Sequence, residues 1–177
     1  GDTFDIPSGV TLDVTGATVT GLSAGKVLQV VSASKTDTAS TTSTSFVTTG
    51  LEVSITPSAT SSKIFIIATP SLSSQMDNTY GACIMRDSTE LNIADASSAR
   101  SLYGSNVSYQ YVGYTANPFP MTYLDSPSST SSITYKVAYK CKGYLGYSLY
   151  INRGYYDVDN DAYGRSSSTI TVMEIEG

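Results

Sequence analysis

The chain has 177 residues, enough to bury one good core and too few to divide easily into two domains. Its formal charge of -5, with 14% charged residues and no basic cluster, argues against a nucleic-acid partner, because affinity for phosphates comes largely from Lys and Arg displacing counterions. Ser and Thr supply 52 residues and Tyr another 14, while histidine is absent, which removes the Ser-His-Asp and Cys-His nucleophile systems and the most used transition-metal ligand.

Solubility rests on hydroxyls more than on ions, and that balance favours strands. Thr and Tyr fit a pleated surface, whereas the usual helix builders Glu, Lys, Gln and Leu are sparse. Residues 1–25, "GDTFDIPSGVTLDVTGATVTGLSAG", alternate apolar Val10, Leu12 and Val14 with polar Thr11, Asp13 and Thr15, and are broken by Gly9, Gly16, Gly21 and Gly25. One such ribbon has too little apolar area to fold alone. It is expected to be a trimerisation stem, its apolar side covered by the main domain or by two sister copies about a threefold axis; a loose leader that merely alternates is the other reading. The start at Gly1, without an initiator Met or a charged and apolar leader, suggests a processed chain or a piece of something longer.

From residue 26 to 177 short strands follow one another with turn signals between them, the spacing of a single all-β head domain. "KVLQVVSA" (26–33) reads as a buried-type strand, and "STSFVTTGLEVSI" (43–55) as one or two more around Gly50. After the turn "TPSATSSK", "KIFIIAT" (63–69) is the most apolar strand and is expected at the centre of a sheet. "YGACIMR" (80–86) turns through "RDSTE" into "LNIA", and "VSYQYVGYTA" (107–116) alternates Tyr with smaller groups. "FPMTYLD", "SSITYKVAYKCK", "YLGYSLYIN" and the terminal "STITVMEIE" bring the expected total to about ten. The best helix candidate, 91–104, has a weak rhythm diluted by Ser and Gly and reads as loop. The expected fold is an antiparallel β-sandwich, a jelly roll.

The longest purely apolar run, Ile64 to Ala68, is far below the roughly 20 residues a membrane-spanning helix needs, so no membrane insertion is expected. Cys83 and Cys141 have no metal-ligand spacing and read as small core residues, a disulfide being the alternative. No GxSxG, Walker or GxGxxG motif occurs, which leaves the serines as surface material and predicts neither a cofactor nor an enzyme.

The densest acidic stretch is "GYYDVDNDAYG" (154–164), with Asp157, Asp159 and Asp161 at alternating positions. It opens like an EF-hand loop, but Ala162 stands where the bend requires Gly and Ser168 where a bidentate Glu belongs. A looser calcium site and a glycosidase carboxylate pair are weighed against a solvated strand connection at the tip of the domain, and the last is preferred, with no metal. Tyr103, Tyr109, Tyr111, Tyr114, Tyr144, Tyr147, Tyr150, Tyr155, Tyr156 and Tyr163 crowd the second half of the chain. Each can simply pack in a sheet with its hydroxyl at the rim. Together they suit a binding surface, because a hydroxylated ring offers large contact area at little entropic cost. The candidate ligand-binding set is Tyr155, Tyr156, Asp157, Asp159, Asp161 and Tyr163, in which rings stack on a sugar and carboxylates accept its hydroxyl protons.

Several segments, "GLSAGKVLQVVSASKTDTASTTSTSFVTTGLEVSITPSATSSKIFI" (21–66), "MTYLDSPSSTSSITYKV" (121–137), "YINRGYYDVDNDAYGRSSSTITVMEI" (150–175) and the leader "FDIPSGVTLDVTGATVTG" (4–21), resemble the C-terminal region of tail-fibre proteins of tailed bacteriophages, those of marine and cyanobacterial phages above all. The resemblance implies a homotrimer in which a slender intertwined stem carries a β-sandwich head at the periphery of the virion. It also implies contact with other virion tail or capsid proteins and with a host cell-surface glycan or outer-membrane protein. In "LDSPSS", Pro127 is expected to fix a turn and Asp125 to cap nearby amides. The resemblance passes on no catalytic residues. A receptor-binding head and a purely structural virion fibre are the two functions that follow.

Overall fold

The computed structural model describes residues 25–75, 79–96, 98, 100–108, 113–141 and 147–177. The expected stem, apart from Gly25, lies outside the described residues, as do Tyr109, Tyr111 and Tyr144. Among the described residues there is no helix; all regular structure is β, and every strand pairing is antiparallel.

The first sheet holds β1 (Val27–Lys35), β4 (Lys63–Thr69), β10 (Met121–Asp125) and β13 (Ser168–Ile175) in the order β1-β13-β4-β10. Strand β4 is internal, as its apolar text predicts, and buries Ile64, Ile66 and Ala68 on one face. Period-two alternation sets the same face on β13, where Ile170 and Val172 are buried. The second sheet holds β3 (Val47–Ile55), β6 (Thr79–Arg86), β7 (Thr89–Leu91) and β11 (Ile133–Cys141) in the order β3-β11-β6-β7, with β8 (Ser105–Ser108) also pairing with β6. "RDSTE" forms the expected turn, with Asp87 at φ 52 between β6 and β7.

Gly50 does not divide 43–55 into two strands. It sits inside β3 at φ 81, a conformation that L side chains rarely adopt, where the register against β11 shifts. The Thr49 hydroxyl closes the irregularity, donating to the Val137 carbonyl at 2.9 Å and accepting from the Leu51 amide at 3.1 Å.

The third sheet consists of short strands, of which the sequence reading named only the one within "YLGYSLYIN": β2 (Ala39–Thr41), β5 (Ser71–Ser74), β9 (Asn117–Pro118) and β12 (Leu149–Ile151), in the order β2-β12-β5-β9. Its order repeats that of the first sheet strand for strand. β1 runs on into β2, β4 into β5 and β9 into β10, with Pro70 or Pro120 at two of the joints, where the ring removes a ladder donor. The two sheets are thus one four-stranded sheet bent across a crease. Between β12 and β13 the chain leaves the crease as a loop, 152–167, and returns.

The crease is fastened by short polar side chains. Asn152, fully buried with φ 64, donates through Nδ2 to the carbonyls of Lys35 at 2.8 Å and Asp37 at 2.9 Å. The Ser168 hydroxyl donates to Asn152 Oδ1 at 2.5 Å and accepts from the Ser71 amide at 2.8 Å. Ser and Asn thereby supply the hydrogen bonds that the interrupted ladder cannot.

Side chains of the first and second sheets meet in one buried cluster that includes Leu51, Ile66, Ile84, Tyr135, Val137 and Val172. Asp125 does not cap amides as expected. It ends β10 in the inward register with Met121, so its carboxylate enters the core, where it accepts both bonds from Arg86 Nη1 at 2.9 Å and one from the Tyr135 hydroxyl at 2.6 Å. Burial first, and then the bond to Asp125, push the Tyr135 phenol up. Cys83 and Cys141 are both buried; the Cys141 thiol donates to the Thr41 carbonyl at 3.6 Å, and burial pushes Cys83 up to about 12, helped by the charge of Glu90.

Candidate functional site

The 152–167 loop is closed at its base by a bridge between Arg153 and Arg165 and by a bond from the Ser166 amide to the Asn152 carbonyl at 3.1 Å. Two cations at a loop base would repel. Asp157 lies between them, taking a forked bond from Arg165 at 2.8 and 3.0 Å and an ion pair from Arg153 at 3.8 Å. The Arg153 guanidinium also lies over the Tyr150 ring, 4.1 Å from its centroid. The forked geometry gives this pair more rigidity than an ordinary surface ion pair.

Beyond Asp157 the chain turns on itself. The Asn160 amide donates to Val158, the Tyr163 amide to Asn160 at 3.0 Å, and the Ala162 amide to Asn160 Oδ1 at 3.0 Å. Asp159 and Asp161 are exposed on this turn. An open depression of about 420 Å³ is lined by Asp157, Val158, Asp159, Asn160, Tyr163 and Arg165.

The tyrosines come together beside it. Tyr155 and Tyr156 have ring centroids 4.6 Å apart, Tyr114 is 5.9 Å from Tyr156 and 5.1 Å from Tyr163, and Tyr156 is 6.5 Å from Tyr163. Tyr114 and Tyr156 remain 47% and 44% exposed. Such separations are those of rings packed on one another, and the rings form a continuous aromatic patch. Gly154 makes this possible, since a Cβ there would lie 2.6 Å from the Gly113 carbonyl oxygen and from the Tyr114 carbonyl carbon. The strand-side anchor is Gln75, whose amide donates to the Tyr155 hydroxyl at 3.1 Å.

The six residues singled out in the sequence therefore lie on one loop, though in two groups. Tyr155, Tyr156 and Tyr163 join the aromatic patch, Asp157 is neutralised at its foot, and Asp159 lines the depression, whereas Asp161 is outside its lining. The set omitted Arg153, Arg165 and Gln75, and left Tyr114 in the general crowd of tyrosines. Two arginines bracketing the acidic stretch were the signal for the ion pairs; nothing local could have joined Tyr114 or Gln75 to it. Among the described residues no group of three or more His, Cys, Asp or Glu side chains is placed to hold a metal ion. No protein-family model and no curated protein matches the chain.

Proposed function

We propose that the chain is the head of a tailed-bacteriophage fibre, a homotrimeric two-sheet jelly roll on an intertwined N-terminal stem, which adheres to the host surface through the 152–167 loop without catalysing a reaction. The observation that carries this reading is the aromatic patch. Tyr156 and Tyr163, on a loop held by the Asp157 ion pairs, expose ring surface together with Tyr114 from the neighbouring 113–116 segment, and beside them lies an open polar depression. A pyranose ring has one apolar face that lies flat on such a patch and a rim of hydroxyls that can reach Asp159 and Asn160. A cell-surface glycan is accordingly the preferred ligand. Each site is shallow and binds weakly, and three copies on one fibre raise the total by multivalency.

The test is competition for adsorption. Purified protein at saturating dose is expected to block attachment of the phage that carries it, and the double substitution Tyr114→Ala, Tyr156→Ala to lose that block by at least about tenfold, the effect of one or two lost aromatic contacts. Attachment unchanged by the unaltered protein would replace receptor binding with a purely structural virion fibre.

A further inference from the structure

The outer faces of the two large sheets are dressed differently. Across the second sheet one cross-strand row reads Glu52, Lys136, Met85, Glu90. Along β6 that face is covered by its own chain, the Tyr103 ring lying on Gly81 and Gly104 packing over Cys83, and beside the row an exposed hydroxyl pair, Ser54 and Thr134, faces water. Charge or chain thus keeps the second sheet compatible with water.

Across the first sheet the corresponding row reads Val30, Met173, Phe65, Leu124, one residue from each of the four strands. Val30 is 55% and Leu124 50% exposed. The next row, Ser32, Thr171, Ile67, Thr122, contains hydroxyls and one further exposed apolar group and no charge. Val27 and Leu28 extend the apolar stripe to the end of β1, and charge appears only at that end, in Lys63 and the Lys26–Glu176 pair. A stripe spanning four strands, uninterrupted by a charge, is unusual on a surface that stays in water.

We infer that this face is the surface through which copies of the chain pack against one another. The inference rests on the oligomer proposed above and names the surface that builds it. Charge selects a copy over a foreign partner. Each chain carries a net -5, so copies repel where charged faces approach, and among the described residues this face offers a broad contact with no charge of its own to bury or oppose. A partner of different composition steered by charge would find nothing here to grip. The position of the remaining chain agrees: residues 1–24 join β1 at Gly25, at the rim of this face, so copies tied along their leading segments bring their first sheets together.

The experiment is sedimentation velocity on the full chain, unaltered and with Val30→Asp plus Leu124→Asp, alongside Glu52→Ala plus Lys136→Ala on the opposite sheet. The unaltered protein and the opposite-sheet variant are expected to sediment as the oligomer, and the Asp variant as a folded monomer with an unchanged β-type circular dichroism spectrum. If the Asp variant fails to fold, hydroxyl-radical oxidation of Met173 in the unaltered protein decides: slow oxidation that accelerates on dilution supports the face, and oxidation at the rate of an exposed methionine overturns it. An oligomer undisturbed by the Asp substitutions overturns this face but leaves the trimer standing. A monomeric unaltered protein overturns both. A disulfide formed within one chain by Leu12→Cys plus Leu124→Cys assigns the face to the leading segment instead, and also overturns the inference.

Discussion

Glu174 follows Ile170 and Val172 on the inward side of β13, so period-two alternation drives a carboxylate to a position with no solvent exposure. Burial alone would discharge it. Hydrogen bonds reverse the outcome: the Ser58 amide and hydroxyl donate to Oε1 at 2.7 and 2.6 Å, and Gln29 Nε2 donates to Oε2 at 2.6 Å. The Ser62 hydroxyl also favours the anion, its buried oxygen meeting no group at full hydrogen-bonding geometry and so acting by proximity. Against the opposing effect of burial, these donors hold the carboxyl down to about 2 from an ordinary 4.5. A depressed folded-state pKa means stability that is present above about 4.5 and is lost as the pH falls through about 2. Urea melts of the unaltered protein are therefore expected to weaken between those two values. Glu174→Gln keeps the shape but not the charge; at pH 7 it is expected to cost about 1.5–3 kcal/mol, the worth of charge-assisted bonds, and to flatten that acid-side decline. A melt that declines equally in both proteins would sink the assignment.

At the scale of elements, the loop depends on one close approach. Gly154 is buried against backbone at 113–114, and the Tyr156 amide donates to the Gly113 carbonyl at 2.8 Å in the same place. Gly154→Ala forces the two segments apart, since the neighbour is backbone and cannot rotate away. The expected cost is about 1–3 kcal/mol, or several degrees in Tm, with loss of the near-ultraviolet tyrosine signal as the patch separates. Gly164→Ala on the same loop is the control, because nothing lies within 4 Å of its Cβ position, and it should leave both readouts unchanged. Equal effects from the two would show that the loop is not held by this contact.

The same elements show what a linear reading can see. β3, β4, β11 and β13 were legible because each has one buried face, and alternation records a buried face directly. The three- and two-residue strands β2 and β9 were not, being too short for any period to register. Gly50 was noticed but left open between one strand and two, since a bulge and a strand break carry the same glycine. Asp125 was misread for a different reason: its neighbours Ser126 and Pro127 announce a turn, while its true partners Arg86 and Tyr135 come from other strands. The tyrosine and aspartate loop was legible as a unit because it is local. Its contact with Tyr114 and Gln75 is tertiary and left no mark nearby.

On the scale of the whole molecule, the two proposed surfaces lie on different parts of the chain: the aromatic loop leaves the crease between β12 and β13, whereas the apolar stripe runs across the first sheet. That separation lets assembly and adhesion be perturbed independently. Val30→Asp with Leu124→Asp leaves every loop residue in place, so its affinity for a soluble monovalent fragment of the ligand should match that of the unaltered protein. Its retention on intact cells should not. With neighbouring sites no longer tethered, the avidity gain of about 10²–10⁴ is removed without any contact to ligand being lost. Tyr114→Ala with Tyr156→Ala should do the opposite, lowering monovalent affinity while sedimentation still reports the oligomer. Cell-binding titrations run beside calorimetry with the fragment separate the two effects, and equal losses in both assays for both variants would mean that the two surfaces are not independent.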